Sequence, residues 1–413
     1  MIQEAYAEGN PFWIQAPENR YLVVSSWEHI KEIDAASEDV LSLQAAAKEI
    51  LQPRYTMQNF NWFDKKGADG MPLIRTLRTL LTNHLPDILP DVRRSMSVLL
   101  DRTQGSRPIV NVFPIIIEAI SVTNAAAFFG SELSRDKKFM AAAIGFIEQT
   151  LLAAEAIRVL PKAIAPFIGN MIAKNLGSGK AIYDALIPIA EERLEERAQK
   201  KLGHVVPEYT ACIALHHLCL HPEYVEPLRN EIESTGWAPF EQSGGKAFPL
   251  LDSFMKESAR INPVESVSSR RMALKPFELS DGTRIEAGEW ICTAARGMML
   301  DARYYTAPQE FQGFRFVDSS ILKNKLAGEF VSQVQGTPSN FTDIGDWQLW
   351  GTGRSACPGR FYATAVMKTL LALFITKYDM QLEEKATARY FAWRTFIYPY
   401  ASTKVILRPR AAL

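Results

Sequence analysis

The stretch Trp350 to Ala363, WGTGRSACPGRFYA, sets one cysteine between a glycine-rich turn and a Pro-Gly step that opens a helix-like run. A thiol there could be a metal ligand, a nucleophile, an iron thiolate or a small buried residue. A zinc site needs further ligands at short spacing, and Cys357 has none. A phosphate-cradling loop needs Lys-Ser/Thr after its glycines, which Gly351-Thr352-Gly353 lacks. A nucleophile needs a histidine base, which sequence alone does not place. A thiolate on iron needs backbone N–H groups aimed at sulfur, glycines that let a large planar ligand approach, and a helix N-terminus. Gly351, Gly353, Pro358, Gly359 and a helix from about Arg360 fit that set.

A second cluster is HHLCLH, with His216, His217, Cys219 and His221. At helical spacing Cys219 shares a face with His216, and His217 shares another with His221, so one metal site is not expected. Composition narrows the rest. The 413 residues carry 46 Lys+Arg and 46 Asp+Glu, so no basic excess points to nucleic acid. The four cysteines, Cys212, Cys219, Cys292 and Cys357, form no C-x-x-C pair, which favours a reducing compartment over a disulfide framework. The N-terminus has no signal-peptide h-region, and no apolar run is expected to span a membrane. Leu151 to Leu176, apolar with scattered Lys and Arg, is read either as core helices or as a segment lying on a bilayer face.

The elements that must position Cys357 follow from periodicity. FWIQA and RYLVVSS read as strands, with a helix from Trp27. From about Pro72 to Leu220 the period is helical; IIIEAISVTNAAAFFG and KFMAAAIGFIEQTLLAAEAI are apolar nearly all round and read as core helices. IPIAEERLEERAQKKLG reads as a charged, solvated helix, and HPEYVEPLRNEIES and LLDSFMKESARI as further helices. RRMALKPFELSDGTRIEAGEWICTAA reads as strand, turn and strand, with Asp281-Gly282 in the turn. Ile321 to Trp347 is loop-rich, ATAVMKTLLALFITKYDMQL a long helix, and FAWRTFIYPYASTKVILRPR strands and a turn. The layout predicts a mainly α protein with a smaller β part, residues 1–413 forming a single domain.

W-G-T-G-R-S-A-C-P-G-R resembles the haem-binding loop of the cytochrome P-450 family. Glu257 and Arg260 in FMKESAR match that family's E-x-x-R, and Arg315 in EFQGFRF matches its F-x-P-E-R-F arginine. Alone, E-x-x-R is a weak signal; the three in order are specific. The match is close over the C-terminal half and looks most like fungal secondary-metabolism members. It implies a P-450-like fold, a haem b whose iron Cys357 ligates as thiolate, and a haem setting that includes Trp350, Gly351, Gly353 and Gly359. It also implies a buried Glu257–Arg260–Arg315 network and a propionate partner at Arg271, with Arg270 as the alternative. Arg75 and Arg78 are candidates for the other propionate. Pro263 to Ser268, with an unusual Glu265, and Phe391 to Ile397 would wall the distal pocket.

The chain also departs from the pattern. Ser355 stands where a propionate-binding Arg or His is usual, and H-x-D-P is reduced to Met299-Leu300-Asp301-Ala302. The central helix is expected to be shortened: Val206 and Pro207 fall where the oxygen-activating threonine pair is expected, Thr210 is one turn late, and Glu208 is the nearby acid. This fits either a different proton route or a chain lacking a segment, and the absent N-terminal anchor favours the second. The implied activity is insertion of one oxygen atom from dioxygen into an apolar terpenoid, polyketide or alkaloid, with electrons from an NADPH-cytochrome reductase. A haem-dependent isomerase or peroxide-using enzyme, or an inactive haem-binding relative, is the alternative. The resemblance implies the endoplasmic reticulum membrane surface; the chain as given, without an anchor, reads as cytoplasmic with peripheral membrane contact.

Overall fold

The computed structural model describes residues 5–6, 9–16, 19–57, 72–103, 108–130, 133–161, 163–182, 184–186, 207–325, 330, 333, 338–345 and 347–410. The charged helix expected around Glu191 to Gly203, and Val206, lie outside the described residues.

Among the described residues helices dominate, with four small sheets beside them. The five-stranded sheet has the order β1 (Phe12–Gln15), β2 (Arg20–Val24), β8 (Trp290–Thr293), β5 (Ser268–Ala273) and β3 (Leu41–Ser42). β2 and β8 run parallel, so their shared face is dry, and all four residues of β8 are buried. β5 and β8 are antiparallel, with a register shift between Ser268 and Arg271 that re-aims the arginine-bearing strand. The Asp281-Gly282 turn forms between β6 (Phe277–Glu278) and β7 (Arg284–Ile285), where Gly282 takes a φ of 84°.

Three expectations are corrected. Tyr378–Leu382 leaves the preceding helix and becomes β9, an edge strand of the sheet ordered β4 (Ile109–Asn111), β12 (Lys404–Pro409), β9; Tyr378 sits in extended backbone and its hydroxyl donates to the Leu100 carbonyl. Within the loop-rich stretch, Ser319–Lys325 forms a helix. Both helices expected in the core are long and apolar enough to cross a membrane by length and composition; Val112–Phe129 does join the core through Val112, Ile116, Ala119 and Ile120, whereas Lys137–Arg158 is only partly buried. Leu152 is 73% exposed.

Helix Pro207–Leu220 runs through the centre, buried on all sides and packed against Val112–Phe129, Pro249–Ile261 and Arg360–Lys377. Its Glu208 is buried, and burial pushes the carboxyl up from 4.5 to about 7.

Helix Pro249–Ile261 carries the polar core. Its N-terminal amides, on Leu250 and Leu251, donate to the buried Glu231 carboxylate at 2.8 and 3.1 Å, an anion placed where the helix dipole favours one. Further along, Glu257 holds Arg260 in a bidentate pair at 2.8 and 2.8 Å and accepts from Arg315 at 3.1 Å. The side chains of all three are at most 1% exposed. One carboxylate leaves one positive charge over, and carbonyl oxygens meet it. Arg260 donates to Met299 and Pro308, Arg315 to Thr306 and Ala307, and both to Glu310. The network thus pins the segment from 299 to 315 onto the helix.

Removing the shared anion strands two guanidiniums in the core. Glu257→Ala is expected to cost about 3–5 kcal/mol in urea unfolding, and Arg315→Ala a similar amount. Glu208 supplies a pH-dependent counterpart. The fold raises the pKa of this acid, so the folded state binds more protons, and stability is lost as pH climbs from 4.5 to about 7. Glu208→Gln is expected to gain up to about 3 kcal/mol near pH 8 and nothing near pH 4.5, read by the same urea curves.

Candidate functional site

The cysteine loop is shaped by its glycines and by one aspartate. Gly351 has φ 76° and Gly353 φ 53°, both in the left-handed region. A Cβ on Gly353 would lie 2.6 Å from the Asp34 carboxyl carbon, so the position also has no room for a side chain. Asp34 accepts from Thr352 Oγ1 at 3.0 Å, and Ser269 Oγ meets Thr352 at 2.8 Å. The loop is thereby tied to both helix Trp27–Ala35 and β5. Trp350 is buried against Phe341, and its indole donates to the Phe341 carbonyl at 2.7 Å. The Trp350 carbonyl in turn accepts from the Cys357 N–H at 2.7 Å.

Gly359 caps the N-terminus of helix Arg360–Lys377, and its amide and that of Arg360 point to the Cys357 sulfur. Burial pushes the thiol up; those two N–H groups and the guanidiniums of Arg360 and Arg78 pull it down. Arg78 reaches the loop from a π-helical turn, Thr76–Leu81, and donates to the carbonyls of Arg354 and Ala356. Arg75 is exposed. Arg354, beside Ser355, turns outward to the Asp34 and Ala36 carbonyls.

Above the loop lies a cavity of about 190 Å³. Gly351, Thr352 and Ser355 form one side, and Glu265, Arg270 and Arg271 another. Arg271 is buried, 3.7 Å from Asp34; Arg270 pairs with Glu265 and donates to Thr395. Both arginines expected near a propionate therefore line the same cavity, and each brings its own carboxylate. Neither Asp34 nor the Glu265–Arg270 pairing was anticipated. Asp34 sits in an ordinary amphipathic helix and shows no motif. A thiol under two amides, a turn that needs positive φ at two glycines and two arginines lining one cavity fit a haem with its two carboxylates.

On the opposite side the loop Pro263–Ser268 meets the hairpin of β10 (Tyr390–Trp393) and β11 (Phe396–Pro399). Ser266 N–H donates to the Thr395 carbonyl, Ile397 N–H to the Val264 carbonyl, and Glu265 bridges Phe396. Only part of Phe391 to Ile397 turns inward. Phe391 and Trp393 are exposed, whereas Ile397 is buried and Phe396 half-buried.

The histidine run disperses. His217 joins Ser258 and Asn262 at 2.7 and 3.0 Å and is pushed down to about 3 by burial. His216 lies 3.7 Å from Cys212 Sγ, and His221 stacks on Phe311. Among the described residues no group of three or more His, Cys, Asp or Glu could hold a metal ion.

Comparison with known proteins converges on one family. The cytochrome P-450 family model matches residues 208–405. Cytochrome P-450 monooxygenase 71 of Postia placenta is 26% identical over 99% of this chain and 88% of its own length. An ent-kaurene oxidase of Gibberella fujikuroi is 27% identical over 73% of this chain and 66% of its own. A retinoic-acid-bound cyanobacterial CYP120A1 superposes with a TM-score of 0.68, at 15% identity, over 99% of this chain and 94% of that one, which shows the fold. Motifs, fungal relatives along nearly the whole chain and the fold agree: residues 208–405 match the cytochrome P-450 family model, and the chain as a whole is similar to cytochrome P-450 monooxygenases.

Proposed function

We propose that residues 1–413 act as one haem-thiolate domain that oxygenates an apolar secondary metabolite. The observation that carries this reading is the Cys357 sulfur beneath the amides of Gly359 and Arg360, in a loop whose Gly351, Thr352 and Ser355 line a cavity together with Arg270 and Arg271. When bound, the haem supplies dioxygen activation. Cys357 holds the iron, and Trp350 covers the loop around the sulfur. Arg271, Arg270 and Arg78 hold the propionates. Ile397 and the half-buried Phe396 exclude water from one side of the substrate space. Electrons come from an NADPH-cytochrome reductase. The names of several relatives, ent-kaurene oxidases among them, support a terpenoid; a polyketide or alkaloid skeleton suits the same pocket.

Val206 and Pro207 favour a second reading, a haem-dependent isomerase or peroxide-using enzyme, because neither side chain can donate a proton where a threonine is expected. NADPH consumption coupled to a single-oxygen product in the presence of reductase separates the two.

The location we propose is the endoplasmic reticulum membrane surface. Leu152, Val159, Ile164, Phe167 and Met171 are all exposed, and Phe167 is 78% so. Trp393 and Arg394 of the β10–β11 turn both reach Glu155, which lies one turn from Leu152 and Val159, so the apolar face continues onto the hairpin.

Two outcomes are expected. The haem-loaded protein, reduced under carbon monoxide, should show the thiolate-type Soret band, and Cys357→Ala should lose it; a wild type without that band would overturn the reading. The double variant Leu152→Asp/Phe167→Asp should lose most co-sedimentation with phospholipid vesicles. Its urea midpoint should stay within about 0.5 kcal/mol of wild type, because both residues are exposed.

A further inference from the structure

Glu265 is out of place in an apolar pocket. It is half-buried, burial raises its carboxyl, and its side chain, 26% open, is among those that line the cavity. Its charge is met by Arg270, with Thr395 Oγ1 at 3.5 Å. Arg270 in turn lies 5.4 Å over the Phe396 ring.

Beyond Phe396 the rings continue. Tyr398 is 6.1 Å from Phe396, Tyr209 is 5.7 Å from Tyr398, and Phe113 is 5.5 Å from Tyr209. Glu265, bridged to Phe396 and paired with the arginine over that ring, thus stands at the end of a row of aromatic rings that runs from helix Val112–Phe129 past the central helix to the hairpin.

The inference rests on the haem-thiolate reading in one respect. A propionate that engages Arg270 shares the cation that Glu265 pairs with among the described residues. One guanidinium then faces two carboxylates at low dielectric, and a second cation restores neutrality. Aromatic faces beside a carboxylate favour a desolvated ammonium over a hydrocarbon of equal shape.

We propose that Glu265 determines specificity by receiving a positively charged nitrogen on the substrate, whose carbon skeleton packs against Phe396 and Tyr398. The substrate class is therefore an apolar polycycle bearing a basic amine.

The test compares two probes that differ only in charge, 1-adamantyl-trimethylammonium and 1-tert-butyladamantane. The quaternary nitrogen has no lone pair and cannot ligate iron. Binding to the haem-loaded full chain is read by calorimetry and by the shift in the Soret band. Wild type should bind the cation at least tenfold more tightly than its isostere. Glu265→Gln should erase that preference, and Glu265→Asp should keep part of it. Equal affinity of wild type for both probes, or an unchanged preference in Glu265→Gln, overturns the proposal. If Glu265→Gln does not fold, Glu265→Asp and the wild-type ratio still decide it. The carbon-monoxide band separates the two levels. A wild type without the band fails the haem-thiolate reading; one with the band but no preference for the cation fails this inference alone.

Discussion

One carboxylate, Glu257, pairs with two guanidiniums in the core, and the side chains of all three are at most 1% exposed. A buried 2:1 arrangement of this kind is favourable only if every remaining donor is used. Here the donors go to five backbone carbonyls between 299 and 310. A segment with little regular structure thereby acquires a fixed path across helix Pro249–Ile261. The same helix does this again farther along its length. Asp252 accepts from the Phe341 N–H and from Lys368 of the cysteine-loop helix, and Lys256 donates to Ser339 and the Asn340 carbonyl. Residues 339–341 lead directly into the loop that holds Trp350. The position of Cys357 is therefore set by buried charges on a helix that never touches it.

This order of dependence explains what could be read from the chain alone. The cysteine loop was legible because its glycines and Pro-Gly step are local requirements: positive φ at Gly351 and Gly353, and a helix N-terminus under the sulfur. β2 and β8 were each legible as strands, though not their parallel pairing. Helix Pro249–Ile261 was legible as a helix, but the burial of its polar residues at 252, 253, 256, 257 and 260 was not to be read from periodicity, because several of their partners are distant in sequence or are backbone carbonyls that carry no sequence signature. Only family resemblance marked Glu257, Arg260 and Arg315. Asp34 shows the limit from the other side. It shapes Gly353, holds Thr352 and faces Arg271, and nothing in WEHIKEIDA distinguishes it from a surface acid.

Tyr378–Leu382 and the exposed half of the hairpin misled for a different reason. Each has residues suited to either state, and tertiary pairing decided between them. Pairing with β12 (Lys404–Pro409) drew Tyr378–Leu382 out of the helix, and strand alternation in β10 sent Phe391 and Trp393 outward.

The two cavity arginines show how such a site survives folding. A buried guanidinium waiting for a ligand's carboxylate would cost the ligand-free chain several kcal/mol. This chain removes that cost by supplying Asp34 to Arg271 and Glu265 to Arg270 from within. An acidic ligand group then competes with a carboxylate already in place, so it gains less than it would from a bare cation. The protein's own acid, once displaced or shared, becomes the uncompensated charge. Asp34 keeps Thr352 and stands near Arg354, so it has other partners. Glu265 has Thr395 and the aromatic row, so the imbalance passes to the substrate side of the cavity. Pre-pairing makes the empty fold tolerable, and it also decides where, when the site fills, the remaining negative charge will stand.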